Sequence, residues 1–120
     1  MSVLDKHLER YRRFREDAAR EELNPETRVE AYFLAAHQLI EACAAKNDVH
    51  IGKHQNVRTE LMANGFVFGD RTESVWRSFQ SLENRLRPKF VYGFNWTQQD
   101  FEQVLAVFGE LERWCQEVLR

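Results

Sequence analysis

Cysteine is scarce in this sequence, with two residues in 120, too few for a disulfide framework. Cys43 and Cys115 each fall within an apolar helical stripe, where a thiol serves as a small buried hydrophobe and stays reduced. The five glycines are scattered, without the spacing of a P-loop or a dinucleotide-binding turn, which excludes the nucleotide folds built on those loops. No Ser, Cys or Thr stands in a nucleophile motif, which removes the familiar hydrolase classes. Nor is any apolar run long enough to cross a bilayer. Asp5 and Glu9 interrupt the N-terminal segment where a signal peptide would carry its apolar core, so the expected location is cytoplasmic, away from membranes. Neither charge sign dominates: the formal net charge of -2 supplies no global cationic field, which disfavours broad duplex DNA binding and leaves room only for a local phosphate site.

What the sequence does contain is amphipathic helix. Hydrophobic residues make up 43% and charged residues 30%, the balance of an ordinary globular chain. Its length predicts one domain over residues 1–120 that buries about two-thirds of its unfolded surface. Leu4, Leu8, Tyr11 and Ala18 keep helical spacing while Arg10, Arg12, Arg13 and Arg15 fill the other faces. Asn24-Pro25-Glu26 marks a second helix start, with Asn as N-cap, Pro at the first helical position and an acid facing the dipole. This helix should run to about Lys46 on the stripe Val29, Phe33, Ala36, Ile40 and Cys43, with Ala31, Ala35 and Ala36 permitting close approach of a neighbour at the centre of the fold.

The turn-forming residues from Asn47 to Gly52 predict a loop, followed by a short helix from about Lys53 that Gly65 ends. Phe66-Val67-Phe68 is too brief and isolated to pair as a strand and reads as an apolar connector. Thr72 or Ser74 should cap a fourth helix that buries Val75, Phe79, Leu82 and Leu86, and Pro88 should stop or kink it. Lys89 to Asn95 is then a junction. Thr97 and Asp100 approximate a capping box that opens a last helix, whose stripe of Phe101, Leu105, Phe108, Leu111, Cys115 and Leu119 is widened by Val104, Val107, Trp114 and Val118. Such breadth requires burial against several helices or against a second copy of the chain. The fold class is all-α, an antiparallel up-and-down bundle of four to five helices.

Few residues invite chemistry. His37 and Glu41 stand four apart, as two ligands on one helix face would, but the spacing is also that of ordinary packed or surface residues. His50 and His54 are four apart with Gly52 breaking the helical phase between them, so no structural metal is expected. The segment from Glu83 to Phe94 is the informative one. It contains Asn84, Arg85, Arg87, Lys89 and Tyr92 around a predicted helix end, where guanidiniums can fork onto phosphate oxygens and a phenol can stack on a base. The same cations would also suit the helix dipole of a solvated C-terminus.

Three blocks of this chain resemble the HEPN family, small helical partners often encoded beside minimal nucleotidyltransferases. Ala31-Tyr32-Phe33 through Glu41 resembles the family's aromatic and alanine-rich helix. Gly52-Lys53-His54 through Val57, followed by Phe66-Val67, resembles its Lys/Thr-His-Gly-Val loop and helix. Arg87-Pro88-Lys89-Phe90-Val91-Tyr92-Gly93 resembles the subgroup pattern of Arg, four residues, then Tyr-Gly. Together they span roughly residues 29 to 115. In the family's ribonucleases the signature is an Arg followed after four to six residues by a His. Here Tyr92 occupies the place of that His, and the alternative register pairing Arg85 with Phe90 lacks it too. A tyrosine, with a pKa of about 10, is a poor general base at neutral pH.

The resemblance therefore implies a binding module without catalytic residues, a metal or a cofactor. It would be a homodimer of a toxin-antitoxin-type or related system that engages a nucleotidyltransferase partner, a nucleotide or RNA phosphate. Its expected contact residues are Arg87, Tyr92, Arg85, Asn84, Lys53 and His54. Two other readings stay open: a metal-independent endoribonuclease in which Tyr92 or His54 transfers the proton, and a structural assembly bundle that makes no use of the Arg85 to Tyr92 cluster.

Overall fold

Ser2 accepts the backbone N–H of Asp5 at 3.1 Å, which caps α1 (Val3–Ala19) by satisfying one of its free first-turn donors. The computed structural model describes residues 2–93 and 95–120, so Phe94, which closes the Glu83–Phe94 segment, lies outside the described residues. The rest is helix, turn and loop, with no strand among the described residues. Leu8, Tyr11 and Phe14 pack α1 onto the core, with Ala18 fully enclosed, and α1 lies along α2 (Pro25–Lys46).

Helix α2 is the hub. Its side chains from Val29 to Ala44 are buried on almost every face, because α1, α4, α5 and α6 all pack on it. Ala31, Ala35 and Ala36 are enclosed, and their small side chains let neighbouring backbones come close. After a loop, a 3₁₀ turn at His54–Asn56 leads into α3 (Val57–Ala63). The apolar connector then buries Val67 and Phe68 but leaves Phe66 exposed. Next comes a continuous helical rod made of α4 (Thr72–Gln80), a π-helical turn (Ser81–Leu86) and α5 (Arg87–Val91). The closing helix, α6 (Gln98–Leu119), packs on α2, α4 and the π turn. Counting the rod once, the described residues form an all-α bundle of five helices.

The expected capping box is present. Asp100 N donates to Thr97 Oγ1 at 3.2 Å and Thr97 N donates to Asp100 Oδ2 at 2.9 Å, satisfying two orphan donors at once. Asn24 occupies the N-cap of α2 with Pro25 behind it, but its side chain makes no cap bond.

Four expectations are corrected. Pro88 does not stop the fourth helix, and Arg87 before it keeps helical angles, φ -52° and ψ -46°. A proline removes one helical N–H and crowds the carbonyl four residues back. Here the π turn absorbs the conflict by widening: the N–H of Arg87 reaches the carbonyl of Leu82, five residues back. In consequence Lys89 and Phe90 are helical, and the junction begins at Tyr92. Thr72 does not cap α4 as an acceptor; its hydroxyl donates to the carbonyls of Gly69 and Gly65 at 2.7 and 3.2 Å. On α6 it is Val104, fully buried, that faces the core, while Leu105 is 38% exposed. The neighbours α2, α4 and the π turn account for the breadth of that stripe within one chain.

Candidate functional site

The rod carries the residues of the Glu83–Phe94 segment, and its helical geometry decides where each one points. Arg87, in the first turn of α5, turns toward α2. Its Nε and Nη2 donate to the two carboxylate oxygens of Glu30 at 2.8 and 3.2 Å, a two-pronged pair of the kind only guanidinium makes. The guanidinium also lies over the ring of Phe33, 4.5 Å from its centroid. The hydrogen bonds to Glu30 hold the Arg87 pKa above its ordinary value despite partial burial, with further help from the charges of Tyr92 and Glu83.

His54 reaches the same ring from another side. Its imidazole meets Phe33 edge-on at 5.2 Å, and Phe33 is itself stacked on Phe79, which fixes it as a rigid floor. Nδ1 of His54 is bonded to the carboxylate of Glu83 on the π turn. Glu83 thus orients the ring, and among the described residues Nε2 has no partner. A carboxylate that fixes one ring nitrogen leaves the other to act as a proton donor or acceptor.

Beside Arg87 opens a groove of about 540 Å³ lined by Glu26, Glu30, Arg87, Phe90, Val91 and Gly93. Trp96 stacks on Phe90 at 4.9 Å and donates Nε1 to Glu26 at 3.1 Å. Tyr92 follows α5 and is 72% exposed. Gly93 allows a close approach there: a Cβ on it would stand 2.8 Å from the carbonyl oxygen of Lys89, because its N–H folds back onto the Pro88 carbonyl at 3.1 Å.

The other expected contact residues lie elsewhere. Arg85 donates to Gln103 of α6 at 3.3 Å and, with Asn84, lines a different groove that includes Trp76 and Arg77. The expected convergence of Arg85 with Arg87 is therefore not observed: residues two apart on a helix point to opposite sides. Lys53 is exposed ahead of the 3₁₀ turn, and among the described residues its side chain makes no bond to the Arg87 group.

His37 and Glu41 share a different task. The buried Glu41 carboxylate accepts the backbone N–H groups of Ile51 and Gly52 at 3.0 and 3.1 Å. Nε2 of His37 bonds the Gly52 carbonyl at 3.0 Å. Burial lowers the His37 pKa, opposed in part by the Glu41 charge. Both side chains thus grip the loop that delivers His54. Among the described residues no three His, Cys, Asp or Glu side chains group as metal ligands.

Sequence reading missed Glu30, Glu83 and Phe33 as parts of this group. The likeness of the 31–41 block includes Phe33, but no local pattern pairs Glu30 with an arginine 57 positions away. Compared with known proteins, the chain matches no protein family, no curated protein and no solved structure.

Proposed function

We propose that this chain is a HEPN-like helical binding module, working as a homodimer, whose contact surface is centred on Arg87 and engages a nucleotide or RNA phosphate, or a nucleotidyltransferase partner. The observation that carries this reading is the Arg87–Glu30 fork. Glu30 presents two oxygens to a guanidinium, and a phosphate presents the same pair of acceptors with more charge. A ligand phosphate would exchange for the Glu30 carboxylate at the mouth of the groove, and Tyr92, largely exposed beside it, would stack on a base. Calorimetric titration with ATP and with a short RNA tests this, alongside pull-down with a minimal nucleotidyltransferase and sedimentation for the dimer. Binding that Arg87→Ala abolishes is expected; silence in every titration and pull-down removes the reading.

A second reading is favoured by one observation, the His54–Glu83 pair on the ring that also carries Arg87. In it the chain cleaves RNA, with Nε2 of His54 transferring the proton that the family's ribonucleases assign to the missing histidine. Structured RNA incubated with purified protein separates the two. Cleavage lost in His54→Asn favours the enzyme, while intact RNA at high protein concentration leaves the binding module alone.

A further inference from the structure

The groove that holds Asn84 and Arg85 has no part in the Arg87 surface, and its chemistry is different. Trp76 lines it, with only 8% of its surface exposed. Its indole is covered by two guanidiniums: Arg58 of α3 at 4.4 Å and Arg77 at 5.2 Å from the ring. Trp76 and Arg77 line both of two open depressions of about 400 and 310 Å³. The first leads to Met62, and the second leads along the π turn to Arg85. Among the described residues Arg58 and Arg85 form no ion pair, and Arg77 is held only by Glu73, with both side chains about two-thirds exposed. Such a pair is solvent-screened and easily exchanged. At the α3 end Met62 is 60% exposed, and Phe66 of the following turn is 66% exposed.

We infer that this face of α3, α4 and the π turn is a docking surface for an acidic segment of a partner protein, one that also carries an apolar side chain. Arg77 and Arg85 are eight positions apart, about 12 Å along a helix, which an extended peptide covers in about four residues. Carboxylates at that separation meet both guanidiniums, Gln80, Ser81 and Asn84 supply polar partners between them, and Met62 receives the apolar anchor. One observation favours a short acidic peptide over a nucleic acid: the indole is sealed beneath the arginines and offers no free face for a base to stack on. Arginine over an aromatic ring is also the composition that carries binding energy at protein interfaces.

The test uses fluorescence anisotropy of a short labelled peptide rich in glutamate and leucine. The comparison ligands are the same peptide with glutamine for glutamate and a labelled single-stranded RNA. The full chain is compared with Arg77→Glu/Arg85→Glu, both exposed positions, and with the control Arg12→Glu/Arg13→Glu on α1; circular dichroism verifies folding. The acidic peptide is expected to bind the full chain and the control within about twofold of each other, and the Arg77→Glu/Arg85→Glu variant about tenfold more weakly. The glutamine peptide should lose binding to a similar degree. Absence of peptide binding, binding indifferent to the Arg77 and Arg85 reversal, or RNA bound through Arg77 and Arg85 in preference to the peptide overturns the inference. Arg87 is intact in both variants, so the outcome is independent of the Arg87 surface.

Discussion

Arg87 and Glu30 join α5 to α2 through two parallel N–H···O bonds, stacked on the fully enclosed ring of Phe33. The pair is half-buried rather than sealed, so it is stable enough to fix the guanidinium and open enough to change partners. Two further groups near it are held from separate parts of the chain: Glu83 by the π turn, and His54 by the segment after α2.

That loop depends on one carboxylate. Glu41→Ala leaves the N–H groups of Ile51 and Gly52 without their acceptor inside the protein and is expected to cost about 3 kcal/mol, since bonds to charged acceptors are the strong ones. Urea unfolding gives the magnitude, and hydrogen exchange at Ile51 and Gly52 gives the location. Unchanged protection of both amides would refute the assignment.

The same loop confers a pH dependence. Burial depresses the His37 pKa in the folded state, so below about pH 6.5 the unfolded chain binds a proton that the folded chain does not. This contribution to stability is fully present above that pH and is lost as pH falls toward the depressed folded value. His37→Gln keeps a donor for the Gly52 carbonyl but does not titrate. Its stability should therefore decline less than that of the native chain between pH 7 and pH 5, and parallel declines would contradict the prediction.

At the end of α5, Gly93→Ala drives a methyl group into the Lys89 carbonyl. A loss of about 2 kcal/mol is expected from such overpacking, seen as a lower Tm, together with a shift in the Tyr92 NMR signals as the turn opens. Gly65→Ala, where a Cβ meets nothing within 4 Å, serves as the control.

Across the bundle, Glu112 accepts from the Tyr11 hydroxyl and from Arg15 Nε, and Arg15 lies over Tyr32 and Phe108. Removing the shared acceptor by Glu112→Ala should cost about 2 kcal/mol. A double-mutant cycle with Tyr11→Phe should show clear coupling, because the two residues share one bond; additive losses would count against it.

Where sequence pattern and structure agree, short-range chemistry was decisive. The stripe of Val29, Phe33, Ala36, Ile40 and Cys43 is buried as its period requires, and Thr97 and Asp100 cap each other because both bonds are made within one turn. Where they part, a single local rule was overridden by tertiary packing. Pro88 was expected to stop or kink a helix, and on that expectation Arg85, Arg87 and Tyr92 were to converge at its end. Once the π turn carries the helix through, the two arginines take opposite sides, one facing α2 and the other α6. The exposure of Leu105, expected in the α6 stripe beside the buried Val104, is of the same kind, a phase set by neighbouring helices rather than by the helix itself. The pairings of Glu30 with Arg87 and of Glu83 with His54 had no sequence signal, since the partners are distant in the chain.

The central claim, that Glu30 holds the place of a ligand anion on Arg87, is tested most directly by calorimetry of ATP and a short RNA against Glu30→Gln. Taking away the competing charge should tighten binding by about threefold to tenfold relative to the native chain, even as it weakens the fold slightly, while Arg87→Ala abolishes binding. Binding that is weakened by Glu30→Gln, or left unchanged by Arg87→Ala, would contradict it.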